Sequence, residues 1–80
     1  MTVNDAVAKR IANLLIEKRI TQYRLEQDSG IQHGSMQCIM KGRNKTVTLS
    51  TIYMVARGFG ISILDFLNDP IFLNGNIEFE

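Results

Sequence analysis

Eighty residues, 45% of them hydrophobic and 21% charged, make a single small globular domain. One cysteine, Cys38, excludes an internal disulfide and suits a reducing cytoplasm, and one histidine, His33, with no second ligand pair excludes a histidine–cysteine metal site. The net charge is only +1 but is unevenly spread: residues 1–46 hold eight Lys and Arg against four Asp and Glu, and residues 47–80 hold one against four, an asymmetry expected when one face meets phosphate. No apolar run approaches the ~20 residues of a membrane span. The first twenty residues carry Asp5, Lys9, Arg10 and Glu17 through their apolar pattern, unlike a secretion signal.

In chain order, Thr2-Val3-Asn4-Asp5 forms a capping box that opens a helix over Val3–Lys18. Val7, Ile11, Leu14 and the stem of Lys18 lie on its inward stripe; Leu15 and Ile16 fall off it and are expected to be covered by wider burial, with a dimer contact or the tail folded back onto them as the alternative. Thr21 caps a second helix over Gln22–Ser29, and Gly30 supplies the positive φ that ends it. A third helix over Gln32–Lys41 is closed by Gly42. Leu25, Ile31, Met36 and Ile39 are spaced so that both helices share one core, while Met36, Met40 and Met54 read as core or interface filler. The polar residues left on the third helix are His33, Ser35, Gln37 and Lys41, a hydrogen-bonding face suited to the major groove. Gly42–Thr46 is a polar, basic loop. Thr48 caps a fourth helix over Leu49–Phe59, with Leu49, Ile52, Val55, Ala56 and Phe59 inward, and Gly60 ends it. Ser62–Asp65 is a second capping box for a short fifth helix to Leu67, and Asp69-Pro70 breaks it. In Ile71–Glu80, Asn74-Gly75 between apolar runs signals a hairpin; a tail that is extended or packed on the bundle fits as well. The chain divides into a domain over 1–69 and a tail over 70–80.

Particular side chains carry chemistry. Gln37 can pair bidentately with adenine, and His33 can meet a base edge or a phosphate. Cys38 is either a small residue fitting near a thymine methyl or a thiol, with only Lys41 nearby to activate it. Lys41, Arg43 and Lys45 follow the third helix closely enough to clamp phosphates, and Tyr23 is within reach of one or simply solvated. There is no clustered carboxylate pair and no glycine-rich phosphate loop, so an enzyme is not expected.

The run Leu25…Ser29-Gly30-Ile31…Met36…Ile39…Gly42, followed by Leu49…Thr51-Ile52…Val55-Ala56…Phe59-Gly60-Ile61-Ser62…Phe66-Leu67, resembles the Cro/phage-repressor type of helix-turn-helix regulators, the xenobiotic-response-element family, over about Ile11–Leu67. The resemblance implies an all-α, five-helix, lambda-repressor-like domain with its third helix in the major groove of double-stranded DNA. It implies base contacts from His33, Gly34, Gln37 and Cys38. It also implies phosphate contacts from Gln22 and from the loop residues Lys41, Arg43, Asn44 and Lys45; Tyr23 and Ser35 join these as phosphate candidates. Glu26 stands where the family has Ala, Gln32 where it has a Ser or Thr cap, and Gly34 removes a side chain from a contact position. The expected function is a cytoplasmic transcriptional repressor without a cofactor, binding a palindromic operator as a homodimer. An antitoxin or a protein-interaction adaptor is the alternative use of the fold. The dimer seam is expected from Ile63, Leu64, Phe66 and Leu67 with Ile71, Phe72, Leu73, Ile77 and Phe79 of the tail. No membrane and no small-molecule ligand is expected.

Overall fold

The first ordered feature is a reciprocal cap. In a computed structural model that describes residues 1–42, 47–73 and 77, the Thr2 hydroxyl accepts from the Asp5 amide and the Asp5 carboxylate accepts from the Thr2 amide, both at 3.2 Å. This opens α1 (Val3–Lys18). It is followed by α2 (Gln22–Ser29), α3 (His33–Met40), α4 (Leu49–Phe59), α5 (Ile63–Leu67) and a single turn, α6 (Pro70–Leu73). No strand forms among the described residues. Thr21, Thr48 and Ser62 each accept an amide three residues on, at 3.1, 3.2 and 3.0 Å, so each of these helix starts is written into a hydroxyl. Gly30 and Gly60 end α2 and α4 at φ 78° and 75°, left-handed backbone that costs a side-chained residue energy. The end of α1 has no such glycine, and Arg19 itself takes φ 57°.

The principal packing is α2 on α4 and α1 on α3, with α5 on α4 and α6 on α1. Val7, Ile11 and Leu14 of α1 meet Leu25 of α2, Ile31, Met36 and Ile39 around α3, Ile52, Val55, Ala56 and Phe59 of α4, and Phe66 of α5 in one core. Helices α2 and α4 approach closely at Gly58. A Cβ there would lie 2.9 Å from Leu25 Cδ1 and from Ser29 Cβ, closer than van der Waals contact permits, so the backbone of α4 itself forms the floor under α2.

The end of the chain is fastened by Arg10. Its Nε donates to the Phe66 carbonyl at 2.8 Å and its Nη2 to the Asp65 carbonyl at 3.0 Å. Its Nη1 pairs with Asp69 at 3.0 Å, and the guanidinium lies 5.8 Å from the centre of the Phe66 ring. The two carbonyls lie at the end of a five-residue helix, where the Asp65 carbonyl also accepts from the Asn68 amide at 3.3 Å, so one rigid fork caps the end of α5 and pairs with an acid together. The first turn of the expected tail is helical and packed on α1. Phe72 stands 6.1 Å from Phe66, ring to ring, and leans on the core. The hairpin signal Asn74-Gly75 lies outside the described residues.

Four expectations change. Leu49, at the first position of α4, projects past the end of the core and is 67% exposed. Ile16, off the stripe that Val7, Ile11 and Leu14 bury, is 78% exposed, whereas Leu15 packs against the core. Lys18 is exposed. Phe66, expected at a dimer seam, is fully buried within its own chain, and Leu67, Ile71, Phe72 and Ile77 are half-buried.

The fork implies a ranked loss of stability. Arg10→Met, which keeps the stem and removes three donors, is expected to cost about 2–3 kcal/mol. Asp69→Asn, which leaves both carbonyl bonds in place, should cost ~1 kcal/mol or less. Urea midpoints measure both, and equal losses would mean that the ion pair, not the carbonyl bonds, fastens α5 and α6.

Candidate nucleic-acid interface

The turn between α2 and α3 is built by short-range chemistry. Gly30 turns the chain and the Ile31 amide donates to the Ser29 hydroxyl at 3.3 Å. Ile31 then drops into the core, and Gln32 opens α3 without a side-chain cap. Met36 and Ile39 are buried, and the 100° step of a helix therefore turns Gly34, Cys38 and Lys41 outward. His33 and Gln37 occupy the flank toward α2, and Ser35 the flank toward α4, in a cleft that it shares with Ile39, Thr51 and Met54. His33, Gly34, Ser35, Cys38 and Lys41 are exposed and Gln37 is half-buried.

On the α2 flank, four residues are joined by hydrogen bonds. Gln22 Nε2 donates to Glu26 Oε2 at 3.0 Å, and the same oxygen accepts from His33 Nδ1 at 2.9 Å. Nε2 of His33 in turn lies 3.2 Å from Nε2 of Gln37. Glu26 is only 7% exposed, and its neighbours answer its charge. The Gln22 bond, followed by the bond and charge of His33, holds the carboxyl below its ordinary value against the opposing pull of burial. Tyr23 is exposed beside this chain of bonds, and Arg24 is spent on Asp28 at 2.9 Å within α2.

The structure thus gathers Gln22, His33 and Gln37 into one cluster, with Gly34, Cys38 and Lys41 on the adjoining face and Ser35 apart from them on the far flank. Arg43, Asn44 and Lys45 lie outside the described residues. Glu26 is the residue that sequence reasoning noticed only as a departure from a family. Its i, i+4 relation to Gln22 and that of His33 to Gln37 were visible signals; the link from 26 to 33 crosses the turn and follows no helical period.

Residues 10–70 match the family model for the Cro/C1-type helix-turn-helix (HTH) DNA-binding domain. The chain belongs to this family, whose fold binds DNA through the element formed here by α2 and α3. No curated protein and no solved structure matches the chain. No helix among the described residues is long and apolar enough to cross a membrane.

The lowered value of Glu26 sets the sign of a pH effect. Its folded-state value lies below the unfolded one, so the stabilisation is fully present above the unfolded value and is lost as pH falls through the folded value. The stability difference between wild type and Glu26→Gln should therefore shrink as urea titrations move from neutral pH to below the glutamate range. A difference that grows with acidification would contradict the assigned bonds.

Proposed function

We propose that the protein is a transcriptional repressor that binds a palindromic operator as a homodimer, with α3 of each subunit in the major groove. The observation that carries this reading is the outer face of α3. It presents uncharged groups, Gly34, Gln37 and Cys38, and it ends in the exposed Lys41. Uncharged donors and acceptors read base edges, whereas cations at the end of the helix hold phosphate. Gln37 is the base reader. Gly34 admits close approach of the backbone, and Cys38 meets a thymine methyl. Lys41, with Arg43, Asn44 and Lys45 after it, clamps one strand; Gln22 and Tyr23 at the head of α2 and Ser35 on the other flank hold the backbone. His33 reaches bases chiefly through Gln37, since both its ring nitrogens already have partners.

The two classes of contact separate in the laboratory. Lys41→Ala should weaken all duplexes about equally and reduce the log–log salt slope by about 0.9. Gln37→Ala should cost about 1–3 kcal/mol on the selected site and relax one base pair. An unchanged slope removes Lys41 from the clamp, and equal weakening of selected and scrambled duplexes removes Gln37 from the readers.

The dimer is supported by a surface other than the expected tail. Leu49, Tyr53 and Met54 of α4 and Ile63 of α5 line one apolar cleft, and Leu64 beside it is 76% exposed. A contiguous apolar surface of this kind marks an interaction site. The cleft includes Ile63 of the expected seam, with the exposed Leu64 next to it in the chain, but replaces the buried Phe66 with the start of α4. Leu64→Glu should halve the mass seen by sedimentation equilibrium and weaken binding to a palindrome while sparing a half-site. A dimer that survives Leu64→Glu places the seam elsewhere.

A further inference from the structure

The bonds around Glu26 reach beyond the joint between α2 and α3. A carboxylate oxygen 2.9 Å from His33 Nδ1 requires a proton on that nitrogen, because two acceptors would repel. In the neutral ring the single proton is then used, and Nε2 is left as a lone-pair acceptor. Gln37 approaches this acceptor through its own Nε2 at 3.2 Å, so one N–H of the carboxamide is held against the ring. The carboxamide can no longer turn over freely. Its Oε1 and its second N–H remain to pair, an acceptor beside a donor. Adenine offers the complement, with N6–H to give and N7 to receive. Guanine offers two acceptors, O6 and N7, and would place O6 against Oε1. A Gln37 released from His33 could turn its amino group to guanine instead.

From this geometry we infer that Glu26 is a positioning residue for base readout: by fixing His33 in the Nδ1–H tautomer it holds the Gln37 carboxamide in the orientation that pairs with adenine and refuses guanine. The inference rests on the reading of Gln37 as a base reader. Glu26 is well placed for the task, since it is buried, held ionised by its bonds, and supported from behind by Gln22 through the same oxygen. No contact of Glu26 with DNA is needed.

Two measurements test it. Long-range proton–nitrogen NMR of the full chain, at a pH where imidazole is neutral, should find His33 as the Nδ1–H tautomer; an Nε2–H tautomer would overturn the inference. Selection from random duplexes should then be run on wild type, Gln37→Ala, Glu26→Met, Glu26→Gln and His33→Ala. Glu26→Met keeps the volume without an acceptor and should lower the adenine-over-guanine preference by roughly tenfold, at the base pair that Gln37→Ala relaxes. Glu26→Gln, whose Oε1 can accept both bonds, should keep most of the preference. His33→Ala, at an exposed position, should repeat the loss and stands in should the Met variant fail to fold. If Gln37→Ala relaxes a base pair while the folded Glu26 and His33 variants keep full preference there, Glu26 has no positioning role and the base reader stands. If Gln37→Ala leaves every position unchanged, the base reader itself fails and takes the inference with it.

Discussion

A carboxylate that is 7% exposed cannot stay charged inside a small protein unless its lone pairs are answered, and in this fold the answer comes from the helix-turn-helix element itself. Gln22 opens α2, His33 opens α3, and both bond the same oxygen of Glu26. The relative position of the two helices is therefore specified by the His33–Glu26 bond as well as by Leu25, Ile31, Met36 and Ile39. An apolar contact tolerates small slides, whereas the bond from His33 on α3 to the Glu26 carboxylate on α2 does not, and Gln22 braces that carboxylate from within α2. On the proposed reading stability and recognition are tied together: the groups that offset the burial of a charge, Gln22 and His33, are also candidate DNA-contacting residues.

The remainder of the chain holds that unit still. Gly58 lets α4 press against the back of α2, and Arg10 carries the last two helices onto α1. This use of Arg10 changes the meaning of the charge asymmetry. A cation counted toward a basic front is in fact 11% exposed and bound to the acidic end, and Arg24 is likewise paired within α2. Among the described residues, the cation left exposed at the end of α3 is Lys41. The apolar surface at the start of α4 and along α5 remains outside the core, on elements distinct from the reading helix.

Much of this was legible from residues alone, because it is local. Thr2, Thr21, Thr48 and Ser62 announce helix starts by a hydroxyl that accepts an amide three residues on. Gly30 and Gly60 announce ends by a backbone only glycine adopts cheaply. The stripe through Val7, Ile11 and Leu14 named a core face by period. What escaped was non-local. Nothing in the period of α1 says that Arg10 will meet carbonyls 55 and 56 residues away. Nothing in the period of α4 says that Leu49 lies beyond the core edge. The apolar residues Phe66 and Phe72 look like a seam until one sees Phe66 buried in the core with the Phe72 ring tilted against it. At the site, the side chains suited to DNA were identifiable by type, but their mutual bonding was not, since it runs through an acid in the midst of candidate DNA-binding residues.

The central claim, that α3 with the head of α2 is the surface that meets DNA, is tested most directly by titrating the nitrogen-15-labelled protein with a short duplex at low salt and following each backbone amide. Shifts concentrated on residues 21–24 and 33–42, with α5 and α6 unmoved, are the expected result. Shifts that fall instead on the apolar surface of Leu49, Tyr53 and Leu64, leaving α3 unchanged, would contradict it.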